Sequence, residues 1–134
     1  MMLRNVRDAS IYQEKPMITC LTDPTHGVVE LTVEGGITRP DYDRVVAEME
    51  GVIARSGKLR LIEIIRDVGA IDSSIWWRDV KWAYHHMKDV ARCAVVTDKG
   101  WIGSVTRAVA ALIPAEIRVF PIAELEAARA WVRG

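Results

Sequence analysis

The residues with chemistry in them gather between positions 73 and 88, in the run SSIWWRDVKWAYHHMK. Four of the nine aromatic side chains of the chain lie there, Trp76, Trp77, Trp82 and Tyr84, with two of its three histidines, His85 and His86. Neighbouring histidines on a helix point about 100° apart, so this pair does not close on one metal ion from one side. His26 lies far off in the turn-forming DPTHG segment. No set of metal ligands emerges, and no cofactor is expected. The glycines of EGGI and KGWIG lack the spacing and the strand–helix setting of a phosphate-cradling or dinucleotide loop. No local Ser/His/Asp or Cys/His arrangement marks a nucleophile, and nothing in the chain argues for catalysis. The expectation is a protein that is not an enzyme.

What remains is chemistry of contact. On a helix, Trp76, Val80, Ala83 and Met87 share one stripe, the face an ordinary amphipathic helix turns to a core. A second stripe, Trp77, Lys81, Tyr84 and Lys88, alternates aromatic and basic. A third carries Ile75, Asp79, Trp82 and His86. Trp77, Trp82 and Tyr84 therefore fall off the main apolar stripe. Three readings stay open for them: burial under a neighbouring loop or helix, an interface with a partner or a second copy, or a groove or membrane-facing surface with Lys81 and Lys88 reaching for headgroups.

The elements that must position these residues follow from hydrophobic period and turn chemistry. MITCL (17–21) and VVELTV (28–33) read as strands of an N-terminal hairpin around DPTHG. Thr38 caps a helix with Pro40 in its first turn and Asp41 three residues on, and Tyr42, Val45, Val46, Met49 and Ile53 recur along it until Gly57. LRLIEII (59–65) is a nearly continuous apolar run, as a strand covered on both faces would be. After the 72–88 helix come a strand at 91–98, a helix at 99–113 with Ile102, Val105, Val109 and Leu112 on its apolar face, a strand at 116–121 and a closing helix at 123–132. The order β-β-α-β-α-β-α-β-α predicts an α/β fold: a five-stranded mixed, mainly parallel sheet with an N-terminal hairpin and four helices.

Composition sets the outer limits. The 134 residues suit a single domain over 17–134, with 1–16 as a loose polar extension lacking the apolar middle of a signal peptide. Eighteen Lys and Arg balance eighteen Asp and Glu, which excludes a general electrostatic grip on nucleic acid. No run approaches the roughly 18 apolar residues of a transmembrane helix. Cys20 and Cys93 each sit inside a predicted strand and read as reduced, buried thiols in a cytoplasmic protein.

Four segments in order resemble the SpoIIAA-like proteins of the STAS (anti-sigma-factor antagonist) superfamily. They are GVVELTVEGGITRPDYDRVV (27–46), the Trp77–Asp79–Lys81–Trp82 pattern, DVARCAVVTDKGW (89–101) and PAEIRVFPIAELEAARAWV (114–132). The resemblance implies a sheet flanked by helices, related to the CRAL-TRIO lipid-binding fold, and a non-enzymatic binding or regulatory role. The partner is then a protein, a second copy, or a small apolar or lipid-like molecule, met through the 72–88 helix with Trp77, Lys81, Trp82, Tyr84 and Trp101. A lipid-carrying or peripheral membrane protein with an apolar cavity is the alternative. Anti-sigma antagonists also carry a phosphorylated serine at the start of this helix, and Ser74, with Ser73 beside it, matches that place. Here Ile75-Trp76-Trp77 replaces the Gly-Leu-Gly that follows in those proteins, and Asp72, Ser73 and Ser74 are also ordinary helix-capping types.

Overall fold

The fold comes from a computed structural model that describes residues 18–67, 73–86 and 88–134. Within 73–86, side chains are described for 78, 79 and 81–86. The expected 1–16 extension, Met17, and the side chains of Ser73, Ser74, Trp76, Trp77, Val80 and Met87 lie outside the described residues.

Five strands form one sheet in the order β1-β2-β3-β4-β5: β1 Ile18–Asp23, β2 Val28–Glu34, β3 Leu59–Asp67, β4 Val90–Thr97 and β5 Glu116–Phe120. β1 runs antiparallel to β2, and every later pairing is parallel. The hairpin and the mixed, mainly parallel sheet are thus as the sequence pattern predicts. Parallel neighbours need a crossover, and four helices fill the connections and the C-terminus: α1 Arg39–Ser56, α2 Ser73–His86, α3 Gly100–Ala110 and α4 Leu125–Arg133. A short 3₁₀ turn, Ile122–Glu124, leads into α4.

Alternation along the strands sorts side chains to two cores. Val29, Leu31, Leu61, Cys93 and Val95 meet Val45, Met49 and Val52 of α1 and Ile102 of α3 on one face. Val28, Ile62, Ile64, Ala94 and Val96 meet Phe120 and the α4 residues Ala128 and Val132 on the other. The nearly unbroken apolar run of β3 is explained by this, since its two faces serve different cores. Arg129 of α4 makes a two-pronged ion pair with Glu30 of β2 at 2.7 and 2.9 Å, which fixes the lone helix on its face.

The ends of α1 are set locally. The Thr38 hydroxyl accepts from the Asp41 amide at 3.3 Å, and Gly57 closes the helix with φ 79° while its amide donates to Ile53.

One expectation is corrected. Ile102, Val105, Val109 and Leu112 do not share a buried face. Only Ile102 is buried; Val105 is 48% exposed, Val109 46% and Leu112 84%. α3 instead turns Ile102 and Gly103 to the sheet. Gly103 packs toward β5, where a Cβ would meet Val119 Cγ1 at 3.4 Å, an ordinary van der Waals contact. Val105, Val109 and Leu112 face solvent. The helix also ends at Ala110, ahead of the expected 113.

Candidate interaction face

α1, α2 and α3 return over the same face of the sheet, and each runs against the parallel strands it connects. Their C-terminal ends therefore lie together at the strand N-termini.

The stripe Asp79, Trp82, His86 of α2 faces α1. The Tyr42 hydroxyl lies 3.5 Å from Asp79 Oδ1 as its donor, and Arg78 reaches Asp43 at 3.2 Å. The Trp82 indole donates to Glu50 at 3.1 Å, and its ring packs on the core beneath. His86 stacks on Trp82 with ring centroids 4.5 Å apart and lies between Glu50 and Asp89. His85 instead sits edge-on to Tyr84, so the two adjacent histidines diverge as helical geometry requires. Among the described residues, no three His, Cys, Asp or Glu side chains are placed to hold a metal ion.

The next stripe is the open one. Lys81 and Lys88 are exposed, and Tyr84 is 70% exposed. Of the residues singled out by sequence, Lys81 and Tyr84 thus lie on the solvent face of α2, while Trp82 is held between α2 and α1. Trp101, 54% exposed at the start of α3, opens the outer stripe that continues through Val105, Val109 and Leu112. The sequence pattern marked Trp101 but not this stripe. Its four-residue spacing was legible; which flank of α3 meets the sheet was not.

Charge is unevenly shared. Residues 73–115 hold six Lys and Arg against three Asp, and because the whole chain is neutral the remainder is net negative. All three aspartates are engaged: Asp79 by Tyr42, Asp89 by His86, and Asp98 by the Ile122 amide at 3.0 Å. Lys81, Lys88 and Arg107 are exposed without an anionic partner among the described residues. From Lys99 to Ala115 there is no acidic residue at all.

Beneath α2 lies a group the sequence reading passed over. Glu63 points from the centre of β3 to the helix-covered face, between Leu31 and Val95 on the flanking strands. Burial, then the nearby Asp79 charge, push its carboxyl up to about 7. Asp79 is raised by burial too, against the Tyr42 hydrogen bond that lowers it, and its open solvent side limits that rise. The Tyr42 phenol is raised by burial and by Asp79. The Cys93 thiol is raised by burial first and by the two carboxylates second. A thiol held up in this way is a poor nucleophile. The signal for Glu63 was available in the sequence: one acid in the middle of LRLIEII, at the centre of the sheet.

A shallow depression at the other end of α3 is lined by Thr97, Lys99, Gly103, Arg107 and Phe120. Lys99 is paired there with Asp67 at 3.7 Å.

Comparison with known proteins agrees with the topology. The family model described as SpoIIAA-like matches residues 28–133. A solved structure with this fold, an uncharacterized protein of the DUF3478 family from Shewanella loihica PV-4, superimposes with a TM-score of 0.69. It shares 18% identity, over 90% of this chain and 97% of that one. No curated protein matches the chain.

Proposed function

The chain belongs to the SpoIIAA-like family, and on that premise we propose that it is a non-enzymatic binding and regulatory domain that docks through the outer face of α2 and α3. One observation carries this reading: Tyr84 of α2, Trp101 of α3 and Leu112 just beyond it are 54–84% exposed, on elements that also carry the exposed cations Lys81 and Arg107, which have no anionic partner among the described residues. Clustered exposed apolar side chains on a folded domain mark a contact surface. Tyrosine and tryptophan are the types that contribute most when such a surface is covered.

The arrangement of the acids favours binding over turnover. Glu63 lies under α2 and Asp79 on it, with Tyr42 and the suppressed Cys93 thiol around them. They are placed to govern how α2 sits on the sheet. Lys81 and Tyr84 then read as contact residues and Trp82 as the residue that holds the contact helix in place.

The test is a triple surface variant, Tyr84→Ala, Trp101→Ala and Leu112→Ser. Because all three side chains are exposed, its melting temperature should match that of the parent within a few degrees. Complexes trapped by cross-linking in the protein's own cells should disappear. Complexes that persist unchanged in a folded triple variant would remove this face as the working surface.

A further inference from the structure

The sheet ends on β5, and the free edge of that strand carries a self-complementary charge pattern. We infer that two copies of this chain join there as a symmetric dimer. β5 of one copy runs antiparallel to β5 of the other, Ile117 faces Ile117 on the two-fold axis, and Glu116 faces Arg118 on either side of it. The inference is independent of the docking role of α2 and α3.

β5 pairs with β4 alone, so alternate residues turn their backbone N–H and C=O groups away from the sheet. Protected edges are blunted by proline, by a bulge or by charges that repel a second strand. Glu116–Phe120 has none of these. Pro114 and Pro121 stand outside the strand, and its register with β4 runs unbroken. Its charges, Glu116 and Arg118, are opposite in sign and two residues apart, so they share the α4 face of the sheet.

Facing residues of an antiparallel pair lie on the same side of the sheet. A two-fold axis through Ile117 therefore sets Glu116 opposite Arg118 twice. Moving the axis to Glu116 or to Arg118 sets like charges against each other, which fixes the register. Both groups are available. The Glu116 side chain is 62% exposed and meets Arg92 only at 3.7 Å. Arg118 is exposed, has no anionic partner among the described residues, and lies over the rings of Phe120 and Trp131 at 5.3 and 5.4 Å. Stacking orders the guanidinium before a carboxylate arrives, which lowers the entropic cost of pairing. On the helix-covered side the same axis brings Ile117 against its own copy and Val119 beside Ala115, all half-buried in the single chain. The opposite edge offers no such match: β1 carries one charge, Asp23, and Arg133 and His26 already hold it. Pairing of β5 with β1 would also repeat without end, whereas β5 with β5 closes after two copies.

The test is sedimentation velocity of the full chain over a range of concentrations, with charge swaps at the edge. The parent should pass from monomer to dimer as concentration rises. Glu116→Arg and Arg118→Glu, each alone, should raise the dimer dissociation constant about ten-fold or more, because both facing pairs then repel. Mixing the two variants should restore a dimer with one chain of each kind, and so should both substitutions in one chain. The triple surface variant of α2 and α3 should dimerise as the parent does. A short bis-maleimide should join Ile117→Cys to its own copy and leave the parent, with Cys20 and Cys93, unjoined; this readout serves where a charge variant fails to fold. A parent that stays monomeric at every concentration, a dimer indifferent to the single swaps, or single variants that do not pair on mixing overturns the inference. So does an Ile117→Cys chain that the reagent leaves unjoined, or a dimer that the triple surface variant dissolves. In cells, a cross-linked species of twice the chain's mass reports on this edge, and complexes with other proteins report on α2 and α3.

Discussion

Glu63 is an acid whose chemistry is displaced by its position at the centre of the sheet. Its carboxyl titrates near 7 in the folded chain, against about 4.5 when unfolded. Between those values the folded chain holds a proton that the unfolded chain has released, so stability falls as pH rises through this window. The favourable contribution is fully present below about pH 4.5 and lost above about pH 7. The raised Asp79 carboxyl acts in the same direction. Urea melts of Glu63→Gln and the parent should coincide near about pH 4.5, and at about pH 8 the variant should be the more stable, by at most about 3 kcal/mol. Equal stabilities at both pH values would show that Glu63 is solvated. Cys93 offers a second check. Buried on β4 with its thiol raised, it should react with a thiol reagent only at the rate of unfolding. Immediate labelling in the native state would mean that α2 does not cover it.

At the scale of the element, α2 is tied to α1 more than to the sheet, and its aromatic residues divide the labour. Trp82 donates to Glu50 and packs on the shared core, so Trp82→Ala should cost about 2–3 kcal/mol in a denaturation melt. Tyr84→Ala should stay within about 0.5 kcal/mol, since Tyr84 is 70% exposed. The reverse order would mean that the two faces of α2 are exchanged. Thr38→Ala should cost about 1 kcal/mol by freeing the first turn of α1. These elements also show what a sequence carries. Strand and helix order, the hairpin, the Thr38 cap and the Gly57 stop are local, written in period and turn type, and each was legible. The orientation of α3 was not. Ile102, Val105, Val109 and Leu112 have the spacing of a core seam, yet the helix turns Ile102 and Gly103 to the sheet and leaves the other three exposed. A choice between two apolar flanks made by a tertiary contact leaves no period to read.

At the scale of the molecule, the sheet separates two cores. α4 closes one with Ala128, Val132 and the Arg129–Glu30 pair, while on the three-helix side Lys81, Tyr84 and Trp101 are exposed. The SpoIIAA-like topology was legible as four segments in order. The open face was legible only in its α2 half, through the alternation of Lys81, Tyr84 and Lys88, because the α3 half depends on the roll of that helix. Among the described residues, no helix is long and apolar enough to cross a membrane. The most direct measurement is hydroxyl-radical footprinting of side chains, on the purified protein and inside its own cells. Tyr84, Trp101 and Leu112 should oxidise readily when purified and be protected in cells, while Trp131 on the α4 side should react equally in both. Unchanged reactivity of Tyr84, Trp101 and Leu112 in cells would contradict the account.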